Sequence, residues 1–165
     1  MNISFDIDDF NINNVYFLDT KKNIIMDGNF TKIIYSELSI TLNSIYIQFP
    51  IHKHNFNKVL NKNIINFSLL NPANINIIKE LNRIEHDIIE YFKIYYKNNK
   101  NNVYSLKSQL KTGNVKIYCE NSGQTSLSLT NNIINPRYII KISGIWENMN
   151  SIGITYKILE GFELG

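Results

Sequence analysis

The amino-acid sequence predicts a mainly β protein with one long helix, an α+β domain. Three observations predict it. Short apolar/polar alternations recur at both ends of the chain. Glycine- and asparagine-bearing turn signals separate them. A single stretch, near residues 72–97, carries a helical period instead.

Residues 1–12 read as an N-terminal arm ahead of one domain over residues 13–165. In it Asp6, Asp8 and Asp9 fall among apolar residues, as in an edge strand or a mobile tail. "VYFLDTKKNIIM" then predicts a strand, a polar turn and a second strand. Asp27, Gly28 and Asn29 supply a turn, because glycine and asparagine tolerate positive φ. "FTKIIYS" follows as a third strand. In "SIYIQFPIH" the residues Ile45, Ile47, Phe49 and Ile51 share one face, with Ser44, Tyr46, Gln48 and His52 on the other. Pro50 lacks a ladder donor and places the end of this strand near a sheet edge. "NIINFSLL" is a further short strand.

Asn71 and Pro72 read as an N-cap and a first-turn proline. Ile77, Leu81, Ile84, Ile88, Phe92 and Tyr95 then recur every three or four residues, and Lys93, Lys97 and Lys100 crowd the end. This spacing predicts a helix over about 72–97 whose charged face carries Glu80, Arg83, Asp87 and Glu90. Beyond it, "VYSLKSQL", "VKIYCE", "TSLSL", "YIIKISGIW" and "IGITYKI" are five candidate strands, with turns at Thr112-Gly113-Asn114 and Ser122-Gly123. Strands, one helix and more strands suit a small antiparallel barrel or sandwich with the helix packed against it.

The 165 residues suit one domain, and 44% apolar content suffices for a core. No apolar run approaches a membrane span, and the acidic start "MNISFDIDDF" is unlike a presequence. A protein of a reducing intracellular compartment is expected. The single cysteine, Cys119, alternates with Val115 and Ile117 and reads as a buried, inert thiol. Ile and Asn dominate, and Arg83 and Arg137 are the only arginines. This bias reports an AT-rich genome before any function. A net charge of +3 permits an anionic partner without demanding one.

His52 and His54 share a strand face, but with His86 they make no recognisable zinc pattern. Neither the acidic arm nor the group Glu80, Asp87 and Glu90 comes with a partner for acid–base chemistry. No nucleophile motif, phosphate loop or dinucleotide fingerprint appears. The expectation is a non-enzyme with no cofactor and no metal.

What remains is a repeated arrangement of cations and rings. In "RYIIKISGIW", Tyr138, Ile140 and Ile142 share one face and Arg137, Ile139, Lys141 and Ser143 the other. Gly144 breaks the alternation, as at a bulge or barrel corner. In "IGITYKI", Ile152, Ile154, Tyr156 and Ile158 lie opposite Gly153, Thr155 and Lys157. Lys116 and Tyr118 lie outside Val115 and Ile117, and Lys107 lies opposite Tyr104 and Leu106. Lys32 precedes an apolar run, Tyr46 faces away from its apolar neighbours, and Trp146 is the only tryptophan. Lysine and arginine neutralise phosphates and exposed rings stack on bases, so these residues form a candidate single-strand-binding set. Singly, each has a plainer role: lysines solubilise a sheet and Trp146 plugs a core. The final "LEGFELG", with Glu160, Phe162 and Glu163, reads as a frayed last strand or a short docking tail.

The blocks "MDGNFTKIIYSELSITLNSIYIQF" and "IIKISGIWENMNSIGITYKI" resemble segments of OB-fold single-stranded DNA-binding proteins of large DNA viruses and related AT-rich elements. The resemblance implies an elaborated OB-like antiparallel barrel that coats single-stranded DNA during replication. It implies DNA rather than RNA as partner, no membrane, a host cytoplasm or viral factory as location with virion packaging open, and room for a homo-oligomer. The alternative is a viral structural or scaffold protein assembling through edge strands. A third reading is a metal-dependent nuclease using the acidic arm.

Overall fold

The computed structural model describes residues 3–25, 27–60, 62–118 and 137–160. Cys119, the Ser122-Gly123 turn, the expected strand at 125–129 and the tail residues Phe162 and Glu163 lie outside the described residues.

In chain order the elements are β1 (Phe5–Asp6), β2 (Val15–Asn23), β3 (Gly28–Ser36), β4 (Thr41–Leu42), β5 (Ile45–Pro50), β6 (His54–Val59), β7 (Lys62–Phe67), α1 (Pro72–Tyr96), β8 (Asn101–Asn102), α2 (Ser105–Leu110), β9 (Asn114–Ile117), β10 (Arg137–Glu147) and β11 (Ser151–Glu160). The expectation of a mainly β chain with one long helix therefore holds. Among the described residues the strands form an eight-stranded and a three-stranded sheet. Neither closes into a barrel.

The long strand β10 is central to the large sheet. It pairs with β11 along one edge. Along the other it has two neighbours in turn: β5 beside Arg137–Ile142, then β3 beside Gly144–Glu147. The register of the β10–β11 hairpin shifts between Ile142 and Gly144, where the neighbour changes. This is the bulge that Gly144 predicts. An extra residue there keeps Ile142 and Ile145 both fully buried on the inner face. The small sheet runs β6–β7–β9.

The helix matches its sequence signals closely. The Asn71 side chain accepts from the Ala73 and Asn74 amides, Pro72 occupies the first turn, and Lys97 closes the helix in the left-handed region. Leu81, Ile84, Ile88 and Phe92 are buried and join the core formed with Ile33, Ile47, Phe49, Ile65 and Ile140. Phe92 meets Phe17 edge-on at 5.1 Å. Truncating such a buried ring to alanine costs about 3–5 kcal/mol. Tyr95, expected on the buried stripe, is instead 64% exposed. No described helix is long and apolar enough to cross a membrane.

Several local expectations change. "DTKKN" is no turn: β2 runs straight through it to Asn23, bulging between Phe17 and Thr20, and β3 starts at Gly28. The Thr20 and Thr31 hydroxyls meet at 2.6 Å and hold this ladder. "HNFNKV" forms β6, which its polar composition hides. "SLKSQL" is helix α2 and not a strand, with Leu106 and Leu110 buried one turn apart. The cause is distant in sequence: the buried Glu85 carboxylate of α1 accepts from the Leu106 and Lys107 amides, each at 2.9 Å. The first residues supply the edge strand β1, parallel to β5, and Phe5 stacks on Tyr35 at 4.6 Å.

Candidate nucleic-acid interface

The inner face of the large sheet is buried in the core, so its outer face is the surface on offer. Register places side chains there without ambiguity. Lys141 of β10 lies directly opposite Lys157 of β11 and, on its other side, opposite Tyr46 of β5. Two like charges face to face across a ladder repel. The ammonium groups are found beside the flanking rings. Lys141 Nζ is 5.4 Å from the centre of the Tyr46 ring, and Lys157 Nζ is 5.3 Å from that of Tyr118. Lys116 Nζ approaches the same Tyr118 ring to 4.3 Å. Such contacts contribute about 0.5–1 kcal/mol each at exposed sites.

Tyr118 reaches this row because the chain leaving β9 joins the edge of β11. Its amide donates to the Ile158 carbonyl at 2.8 Å, forming a parallel bridge opposite Leu159. The result is a continuous band, Tyr46–Lys141–Lys157–Tyr118–Lys116, crossing the large sheet to the end of β9. None of these lysines forms a salt bridge with a carboxylate among the described residues.

A second group adjoins the band past the bulge. Trp146 pairs with Phe30 on one side and Gly153 on the other, and Lys32 pairs with Gly144. Both glycines are required by rings. A Cβ on Gly153 would lie 2.8 Å from Trp146 Cζ2, and one on Gly144 would lie 2.4 Å from Phe30 Cζ. The indole thus crosses over β11, and the Phe30 ring crosses over β10. Lys32 is exposed on the same face.

Band and indole meet at an open cleft of ≈ 390 Å³, lined by Gln109, Lys116, Tyr118, Trp146, Thr155 and Lys157. Behind it, burial pushes the Tyr156 hydroxyl up to about 12, with Glu85 and Tyr118 adding to the effect. It therefore stays protonated and donates to Gln109 Oε1 at 2.7 Å.

Of the expected residues, Tyr46, Lys116, Tyr118, Lys141, Trp146 and Lys157 converge, with Lys32 nearby. Two do not join them. Arg137 shares the outer face but pairs with Asp6 at 2.9 Å. Lys107 sits on α2, with its ammonium 5.7 Å from the Tyr104 ring. Phe30 and Gln109 belong to the arrangement and escaped the sequence. Phe30 lies three residues after the Asp27 turn with no alternation to mark its side. Gln109 sits in a hexapeptide that reads as a strand.

The other candidate chemistry is engaged elsewhere. Asp6 accepts from Gln48 as well as Arg137. Glu80 and Asp87 both pair with Arg83. His54 holds Ile51 O through Nδ1 and the Tyr138 hydroxyl through Nε2. Partial burial lowers its pKa from 6.5, against the Ile51 carbonyl bond that raises it. Among the described residues no three His, Cys, Asp or Glu side chains cluster as a metal site. Comparison of the chain with known protein families, curated proteins and solved structures finds no match.

Proposed function

We propose that this protein binds single-stranded nucleic acid, without catalysis, on the outer face of its large sheet. The observation that carries the reading is the band of Lys141, Lys157 and Lys116 set between the Tyr46 and Tyr118 rings, with no carboxylate among the described residues forming a salt bridge to it. Phosphates neutralise such cations, and any base offers a π face to the rings. A duplex hides those faces inside its stack, which favours single strands. The Trp146 and Phe30 rings, laid over glycines, extend the stacking surface.

From the OB-like expectation this reading keeps the strand-binding sheet face and not the closed barrel. Single-stranded DNA, coated during replication inside an infected cell, is the partner we favour, on the strength of the resemblance in the two blocks quoted above. A fluorescently labelled single-stranded oligonucleotide, titrated at low salt and followed by anisotropy, tests the proposal. Saturable binding is expected, and its absence removes the reading.

A second reading has its own support. Ile24 and Ile25, at the β2–β3 turn, are 99% and 94% exposed, and Met149, at the β10–β11 turn, is 86% exposed. The two turns are neighbours, since Asn29 pairs with Glu147. Exposed apolar tips at one end of a molecule suit assembly with other subunits. Light scattering with and without oligonucleotide separates the two: a stable assembly indifferent to DNA favours a structural role.

A further inference from the structure

The edge of β11 that faces the cleft is interrupted. β11 is paired with β10 from Ile152 to Glu160. On its other side it meets β8 at Ser151 and Ile152, and then Tyr118 at Leu159. Residues 153–157 between these attachments have no strand neighbour there among the described residues. The chain that leaves β8 turns away into α2 and returns only at β9.

The direction of the peptide groups along this gap follows from its two ends. The Ile152 carbonyl accepts from the Val103 amide, and the Ile158 carbonyl accepts from the Tyr118 amide, each at 2.8 Å. Peptide groups alternate with period two along a strand. Those of Ile154 and Tyr156 therefore also point away from β10; Ile154 is buried, and the Tyr156 groups are the ones at the cleft. No described group bonds to them. Those of Tyr156 offer one N–H donor and one C=O acceptor at the cleft wall. Gln109 adds a directed group. Its Oε1 is held by the Tyr156 hydroxyl, which leaves the amide Nε2 as donor. Around this polar wall stand the Trp146 and Tyr118 rings, and Lys116 and Lys157 flank the opening.

We propose that this cleft seats one nucleobase of the bound strand edge-on. The base edge would bond to the main chain of Tyr156 and to Gln109 Nε2, with the Trp146 ring alongside. Lys116 and Lys157 hold the flanking phosphates. The chemistry required of the ligand is a planar ring with donors and acceptors on its rim and an anionic group on either side. A nucleotide within a single strand meets all of it. A peptide strand would satisfy the open edge too, but gives two lysines and two rings no specific partner. This inference rests on the strand-binding reading and goes beyond it. The band alone binds any strand uniformly, whereas the cleft recognises a base.

Trp146 is the sole tryptophan, so intrinsic emission reports on the cleft alone. The experiment titrates the protein with oligothymidylate and with an abasic phosphodiester strand of equal length. Labelled-strand anisotropy and Trp146 emission are read together. Both strands are expected to raise anisotropy, but only the base-bearing one to quench or shift Trp146 emission. Gln109→Ala should weaken oligothymidylate binding by about tenfold, the scale of a lost hydrogen bond, and leave abasic binding unchanged. Lys141→Glu should weaken both strands and preserve the emission change at saturation. Bound oligothymidylate that leaves Trp146 emission unaltered overturns the inference while the strand-binding reading stands. So does an equal emission change with the abasic strand. No rise in anisotropy with either strand removes both.

Discussion

On the exposed face of α1, Arg83 lies between Glu80 and Asp87, 2.9 Å from each. On the outer face of β10 and β11, Lys141 and Lys157 stand opposite one another with tyrosine rings beside them and no acid paired to them among the described residues. Both surfaces are charged and solvent-facing. The first is neutralised within a helical turn, at the spacing that stabilises helices by a few tenths of a kcal/mol per pair. The second keeps its repulsion. Among the described residues no Glu or Asp pairs with Lys141 or Lys157 as Glu80 and Asp87 pair with Arg83. Self-paired charge serves the fold and solubility; the proposed function assigns the cations left beside rings to an anion from outside.

The comparison can be broken by reversing charge on each surface in turn. Lys116→Glu, Lys141→Glu and Lys157→Glu together should lower affinity for a single-stranded oligonucleotide by at least about 100-fold, since three phosphate contacts become repulsive. Removing the like-charge repulsion between Lys141 and Lys157 one at a time should not lower thermal stability. Equal affinity of the triple variant and the parent, both folded by circular dichroism, would place any binding elsewhere. A smaller loss, about tenfold, is expected for Tyr46→Leu, because one base loses its ring while the phosphate contacts stay. Isothermal titration against the same oligonucleotide measures it.

Stability should answer to pH through a third region, not through the band. His54 is bound in its neutral form, with a pKa below 6.5 in the folded state. The unfolded chain then takes up the proton first as pH falls. The stabilisation is complete above 6.5 and is lost as pH drops through the lowered folded value. A melting-temperature series from neutral to mildly acidic pH should fall accordingly, and His54→Gln should flatten this component. The smallest effect belongs to the helix surface. Arg83→Gln should cost less than about 1 kcal/mol by chemical denaturation, as exposed pairs do, and leave oligonucleotide affinity unaltered.

How much of this was legible depends on where each cause lies. The helix was readable because its cap, its proline and its apolar period all sit within α1. The β10–β11 hairpin was readable because it carries its own alternation, and Gly144 marked its bulge. The cation and ring pattern on Lys116, Tyr118, Lys141 and Lys157 was visible for the same reason. Elements whose causes are remote were lost. α2 depends on Glu85 reaching its first amides, and a six-residue apolar/polar run cannot announce that. In β6 the half-covered positions are His54 and Phe56, and since one of the two is polar the strand lacks an apolar alternation to read. The turn at Ile24 and Ile25 breaks the rule that turns are polar, and this moved the expected reversal into "DTKKN". In the candidate site, Phe30 meets Trp146 only through the β3–β10 register, which no local pattern reveals. Arg137 failed in the opposite way: its partner Asp6 lies at the far end of the chain, so a neutralised cation read as a free one.

The salt dependence of binding tests the central claim most directly, that the lysine–tyrosine band holds the phosphates of a single strand. With Lys116, Lys141 and Lys157 each releasing counterions, log K should fall with log salt at a slope of about −2, or about 20-fold between 50 and 200 mM. A measured affinity that is flat across this range, or no binding at its lower end, would contradict the account.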